Sequence, residues 1–200
     1  MGRNKEFEEE AVLQKAMELF WKQGYEKTSM SDLVEYMGIH RKSLYDTFGD
    51  KHTLYLKTID YYTVCISERL KTVILKAETA SKGIKDLFTF MINGTKERPW
   101  GCFIVNAATE LALRDKEVEE KIEAVFAQTE KILGELVRKG QVSGEFSREI
   151  SAEALGKILH CTLLGIRVYA RTSMSKEKLN CLADDFILLL SVFVNCNNTI

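Results

Sequence analysis

One proline, Pro99, interrupts the 200 residues, and histidine occurs only at positions 40, 52 and 160. With so few breakers and helix formers almost throughout, helices can run long. Sustained alternation of apolar and polar residues is absent, as is an Asn-Gly hairpin between β-branched runs, so the chain reads as all-α. Three scattered histidines give no metal-ligand spacing, no Gly-rich phosphate loop occurs, and no Ser-His-Asp candidate stands out. No enzymatic role, metal or cofactor is therefore expected. Without a run of about 18 apolar residues, no membrane-spanning helix is expected. Met1-Gly2-Arg3-Asn4-Lys5-Glu6 lacks an apolar segment behind it, so no secretory signal is expected either. The five cysteines (65, 102, 161, 181, 196) are odd in number and contain no Cys-x-x-Cys pair. That favours reduced thiols in a cytoplasmic setting over a disulfide framework or zinc site. Charge of one sign is missing too. The net charge is -1, and residues 1–55 hold eight Lys/Arg against ten Asp/Glu. Any nucleic-acid binding must rest on local placement of cations, not on a basic domain.

What is present is helical periodicity with punctuation. Leu13, Ala16, Met17 and Phe20 share one stripe of a first helix over 7–23, stopped by Gly24. Ser29 with Asp32 approximates a capping box for a second helix, which Gly38 ends. A third, over 41–48, turns Leu44 and Phe48 inward and carries Arg41, Lys42 and Ser43 on its first turn. Gly49-Asp50 breaks it, and Asp50 caps a long fourth helix over 51–77. Ser81 is the expected cap of a fifth helix over 82–96. A sixth covers 102–113 and a seventh 116–139, ended by Gly140. An eighth starts at Ser151 and runs to 171, and a ninth covers 176–194. Two short helices joined by a glycine turn, with basic and hydroxyl groups opening the second, form the pattern of a helix-turn-helix.

Leu19-Phe20, Gly24-Tyr25, Thr28-Ser29, Asp32-Leu33, Gly38-Ile39, Ser43-Leu44-Tyr45, Phe48 and Lys51 together resemble the N-terminal domain of TetR-family transcriptional regulators, over residues 7–55. The resemblance implies a DNA-binding domain at 1–53 and a ligand-binding and dimerisation domain at 54–200. It implies operator contacts by His40, Arg41, Lys42 and Ser43, with Thr28, Ser29, Tyr45 and Lys51 positioning phosphates. Tyr45 could instead pack against the first helix, and His40 could be a solvated cap. The chain departs from the common pattern at His40, at Arg41-Lys42 in place of a Lys-Gly pair, at Thr47 in place of an aromatic, and at Gly49 in place of a proline. These positions bear on operator sequence, not on fold.

For the second domain, Phe88, Met91, Ile92, Trp100, Cys102, Phe103, Asn106, Glu110 and His160 are candidate lining of a small-molecule pocket, since apolar walls with a few polar groups suit one. The same residues suit an ordinary helical core. His160 and Arg167, two turns apart on one face, could be pocket groups or interface partners. Cys102, opening the sixth helix, is a candidate reactive thiol or an inert buried cysteine. Leu155, Ile158, Leu159, Thr162, Ile166 and Tyr169 form a stripe on the eighth helix. On the ninth, Leu182, Phe186, Leu190 and Phe193 form another, to which Leu188 and Leu189 add a second apolar side, broader than one core requires. The resemblance implies a four-helix homodimer interface there. The expectation is a cytoplasmic, homodimeric, ligand- or redox-responsive regulator, usually a repressor. It would bind a palindromic operator in double-stranded DNA and answer to an unidentified small-molecule effector. The rivals are an activator or adaptor without an effector, and a helical ligand-binding protein.

Overall fold

The structure, a computed structural model, describes residues 2–93 and 101–192, with side chains over 9–92 and 101–190. Among the described residues all regular structure is helical: α1 (Gly2–Gln23), α2 (Met30–Met37), α3 (Arg41–Phe48), α4 (Lys51–Lys76), α5 (Ala80–Asn93), α6 (Phe103–Leu111), α7 (Lys116–Ser143), α8 (Ala152–Tyr169) and α9 (Lys176–Val192). The stops follow local chemistry. Gly24 and Gly38 take φ of +87° and +71°, a region in which a Cβ is unfavourable. Ser29 accepts from the Asp32 amide and Asp32 from the Ser29 amide, closing the capping box. Those bonds to Ser29, side chain before backbone, hold the Asp32 carboxyl below its ordinary value.

Two expected boundaries move. α7 passes through Gly140 and continues to Ser143. Gly140 is buried because the Phe146 ring and Ala80 fill the space a Cβ would need, so this glycine is a packing site. The chain turns instead at Gly144, φ +80°. α5 begins at Ala80 and is capped by Thr79, whose hydroxyl accepts from the Lys82 amide. Ser81 is not the cap because the helix already includes it; its amide and that of Ala80, first-turn donors without an intrahelical partner, are taken by the Glu145 carboxylate (2.9 and 3.0 Å).

The chain divides into two compact units. The first comprises residues 1–66 together with 103–123, so α6 and the start of α7 belong with the helix-turn-helix and not with the rest of 54–200. Its core is aromatic. Phe103 of α6 sits 5.7 Å from Tyr55 and 5.6 Å from Tyr62, which meet Phe20 at 5.0 Å and Trp21 at 5.3 Å edge-on. Such pairs contribute about 0.5–1.5 kcal/mol each beyond burial. The second unit, 67–102 and 124–200, packs α5 against α8 and α9 over Ile84, Leu87, Phe88, Leu159, Leu163, Leu179 and Phe186. Here α7 and α8 touch through glycines: a Cβ on Gly156 would lie 2.7 Å from the Gly134 amide nitrogen.

Candidate nucleic-acid interface

α3 is amphipathic at its shortest useful length. Leu44 and Phe48 are buried, while Arg41, Lys42, Ser43 and Tyr45 are exposed, with Tyr45 at 42%. Tyr45 therefore points outward, and Arg41 lies over its ring at 5.8 Å. His40 is the N-cap residue but makes no side-chain capping bond, which leaves the first-turn amides of α3 open to an external acceptor. One helix end thus presents two cations, a hydroxyl and an imidazole to solvent, a donor set suited to guanine edges and phosphates.

Lysines hold this helix in place. Lys15 Nζ of α1 donates to the Met37 carbonyl at the end of α2 (3.2 Å), and Lys57 Nζ of α4 reaches the Thr47 carbonyl of α3 (3.4 Å). Lys51 Nζ donates to the carbonyls of Tyr25 (3.0 Å) and Thr28 (3.1 Å) and lies 4.1 Å from the Tyr25 ring centroid. These ammonium groups bind carbonyls at helix ends and in the turn, that of Tyr25 in addition to the Thr28 amide it already accepts. Two expectations need correcting here. Thr28 is 1% exposed and donates its hydroxyl to the Gly24 carbonyl at 2.6 Å, so that hydroxyl faces the interior and not a phosphate. Lys51 is a half-buried clamp of the 25–28 turn. Ser29 remains exposed at the start of α2.

The same turn is gripped from α6. Glu110 accepts from the amides of Tyr25 (Oε2, 3.0 Å) and Glu26 (Oε1, 2.9 Å). Gly24 must be glycine for a second reason, since a Cβ would meet the Glu110 carboxylate at 2.9 Å. Next to it, His52 Nε2 lies 2.7 Å from Asp115 Oδ2, and Asp115 Oδ1 accepts from the Val118 amide to cap α7. Lys121 of α7 pairs with Asp60 of α4 at 2.6 Å. Sequence reasoning misses Lys15, Lys57 and Asp115, because their partners are backbone groups or side chains distant in sequence.

The expected pocket residues divide between the units. Phe88, Met91, Ile92, Cys102 and His160 fall in the second, and Phe103, Asn106 and Glu110 in the first; Trp100 lies outside the described residues. Phe103 packs in the aromatic core of the first unit, and Glu110 binds the amides of the 25–26 turn. Cys102 is half-buried immediately before α6. His160 is 5% exposed, edge-on to Phe126 at 5.2 Å, with Nδ1 3.6 Å from Glu130. Burial lowers its pKa against the opposing effect of Glu130. Arg167 is 6% exposed, and its Nε donates to Met91 Sδ at 2.9 Å.

The expected interface stripe is also redistributed. Leu159, Ile166, Phe186 and Leu190 are buried within the protomer, Leu155 and Thr162 are half-buried, and Leu182 is exposed; Phe193 lies outside the described residues. Periodicity marks a stripe without saying which of two adjacent stripes faces inward. The apolar groups left outside are Ile158, Val168 and Tyr169 on α8, with Leu182, Leu188 and Leu189 on α9. Gly165, between Thr162 and Tyr169 on the outer side of α8, has no atom within 4 Å of where its Cβ would stand.

Residues 12–58 match the family described as bacterial regulatory proteins, tetR family, and residues 82–184 match a Tetracyclin repressor-like C-terminal domain. The HTH-type transcriptional repressor ComR of Escherichia coli K12 is 32% identical over 181 residues, covering 89% of this chain and 86% of ComR. The uncharacterized HTH-type transcriptional regulator YezE of Bacillus subtilis is 32% identical over 186 residues, covering 90% of this chain and 94% of YezE. Among solved structures, a cysteine mutant of the TetR family regulator CifR, complexed with a 26-base-pair operator DNA, superposes with a TM-score of 0.80. It is 26% identical and covers 90% of this chain and 95% of that one.

Proposed function

Since the chain belongs to the TetR family of DNA-binding transcriptional regulators, we propose that it is an effector-responsive repressor that binds a palindromic operator as a homodimer. The observation that carries the reading is the exposed first turn of α3, where Arg41, Lys42 and Ser43 face solvent while Lys57 holds the end of α3, Lys15 the end of α2 and Lys51 the turn before α2. Arg41 and Lys42 read base edges, Ser43 and Tyr45 set the register on phosphates, and the open amides at His40 receive a phosphate. Repression is the sense of regulation named for ComR, and operator binding is described for CifR.

A second copy covers Ile158, Thr162, Tyr169, Leu182 and Leu189, which lie on the outer sides of α8 and α9. The twofold then sets two α3 helices roughly 34–36 Å apart, one turn of B-DNA. The effector binds among Phe88, Met91, Ile92 and His160 in the second unit. Its differential affinity for the non-binding state must reach a few kcal/mol to empty the operator. α4 and α7 run through the points where the chain leaves the first unit, and α6 holds the 24–28 turn through Glu110. A shift of these helices therefore re-aims α3. Cys102, one residue before α6, is the alternative trigger, because oxidation there would displace the same helix. No helix among the described residues is long and apolar enough to cross a membrane. We place the protein in the cytoplasm with its DNA.

Fluorescence anisotropy on DNA flanking its own gene tests the reading. Arg41→Ala and Lys42→Ala should each weaken specific binding, with Arg41→Ala costing about 1–3 kcal/mol if it reads a guanine. Absence of specific binding by the wild type at moderate salt would refute the regulator reading. If Cys102→Ser still leaves DNA on oxidant treatment as the wild type does, the cysteine is not the trigger.

A further inference from the structure

Arg167 is the one cation among the buried residues of the described chain, and it has no counter-ion there. At 6% exposure its guanidinium makes one bond, from Nε to Met91 Sδ at 2.9 Å. A thioether is a weak acceptor, and a guanidinium cannot shed its proton to escape burial. Among the described residues no carboxylate forms an ion pair with it; Glu130, the acid on the neighbouring stretch of α7, stands beside His160 instead. Arg167 stands in the last turn of α8, where the helix end offers a partial negative charge but no full counter-ion. A buried charge without one is costly, and such a group is a candidate for binding a ligand of opposite charge.

We propose that Arg167 is the anchor for the effector, and that the effector is a small organic acid whose carboxylate docks on the guanidinium while its apolar body lies along α5. This rests on the effector reading above and names the ligand's chemistry. The fork of a guanidinium accepts a carboxylate through two parallel bonds. Met91, which Arg167 touches, and the buried Phe88 and Ile92 on the same helix α5 have apolar side chains, so the rest of the ligand needs an apolar body. A phosphate ester would bring nearly two negative charges to a single cation, and burial disfavours a charged His160 as a second one. His160 lies on the same face of α8, about 10.5 Å along the axis from Arg167. It marks the far end of the site as a hydrogen-bonding group.

The test uses the full chain and thermal denaturation with butyrate, octanoate, dodecanoate and benzoate as probes, octanol as the uncharged control, and the variants Arg167→Met and Arg167→Lys. At least one acid should raise the melting temperature of the wild type well beyond octanol. Arg167→Met, which replaces an unpaired charge with an apolar chain of similar length, should be at least as stable as wild type without ligand. Its affinity for the acid should fall about ten- to a hundredfold, the worth of hydrogen bonds to a charged group. Arg167→Lys, with the charge but not the fork, should fall between. The inference is overturned by an unresponsive wild type, by equal responses to acid and alcohol, by an acid response that survives in Arg167→Met, or by clear destabilisation of that variant, which would make Arg167 a structural residue. Operator binding measured in parallel separates the failures. If DNA binds and is released by octanol as well as by octanoate, the effector reading stands without the acid.

Discussion

Glu110→Ala isolates the link between α6 and the DNA-reading end. The substitution removes two acceptors, at 3.0 and 2.9 Å, from the amides of Tyr25 and Glu26. A hydrogen bond to a charged group contributes roughly 1.5–3 kcal/mol when water is kept out. Here the Glu26 bond is exposed and the Tyr25 bond only partly buried, so water recovers much of each loss. A net cost of about 1–2 kcal/mol, local to the 24–28 turn, is the working figure. Hydrogen exchange reads it directly. The Tyr25 and Glu26 amides should exchange about five- to thirtyfold faster, since 1.4 kcal/mol is tenfold in an equilibrium constant, whereas amides of α8 in the other unit should not change. Glu110→Gln keeps one acceptor oxygen and should fall between. Operator affinity should drop as well, because Lys51 grips the carbonyls of the same turn. Unchanged exchange at Tyr25 and Glu26 would refute the clamp, whatever happens to DNA binding.

Four further outcomes follow from the geometry. Gly156→Ala would place a Cβ 2.7 and 2.8 Å from Gly134 backbone atoms that cannot swing aside; overpacking outweighs the gain in helix propensity, and denaturant titration should show a net loss of about 2 kcal/mol. Lys51→Met should cost about 1–2 kcal/mol of stability before any DNA is added, whereas a lysine acting only on phosphate would leave stability unchanged. For Glu145, burial raises the pKa, but the amides of Ser81 and Ala80 and the Ser143 hydroxyl bring it down to about 2 from 4.5. Its contribution, about 1 kcal/mol after discounting for solvent screening, is present above pH 4.5 and lost as pH falls towards 2, and Glu145→Ala should flatten that limb of an acid titration. With Arg41 and Lys42 directed at base edges, the slope of log K against log salt should be shallower than the value of about -4 that these two residues in two copies would give on phosphates; a slope near -8 would show that other cations carry the binding.

Signals confined to a few residues were legible in the sequence. Ser29 with Asp32, the glycines at 24 and 38 and the Leu44/Phe48 pair define α2 and α3 through local bonds and spacing, and α3 falls on the expected residues. What failed was decided at long range. α5 starts two residues early, capped by Thr79 and not Ser81, with its first-turn amides at Ala80 and Ser81 satisfied by Glu145, more than sixty residues away. Gly140 looks like a stop, yet it is a socket for Phe146. Glu110 carries the right chemistry for a pocket but spends it on backbone amides of another helix pair. On α8, Leu159 and Ile166 share one stripe and Ile158 and Tyr169 the next. Both satisfy helical periodicity, and only packing against α5 decides which is core.

The use of the lysines also resolves the charge problem of residues 1–55. Acids outnumber bases there, and Lys15 and Lys51 are taken up internally, as is Lys57 just beyond, each bound to a carbonyl at the end of a helix or turn. A protomer therefore meets DNA with few uncommitted cations, and one half-site contact is weak. In the proposed dimer, linking two such contacts would make the second intramolecular, at an effective concentration set by the rigid span between them, so the weak affinities would combine nearly as a product. A few cations can then suffice for tight, specific binding, provided the span fits the operator. The same arrangement makes binding steeply sensitive to that span. With little non-specific attraction to hold a misaligned dimer on DNA, a small shift of one recognition helix forfeits a large share of the affinity. A near-neutral DNA-binding domain is in this sense easier to switch off than a basic one.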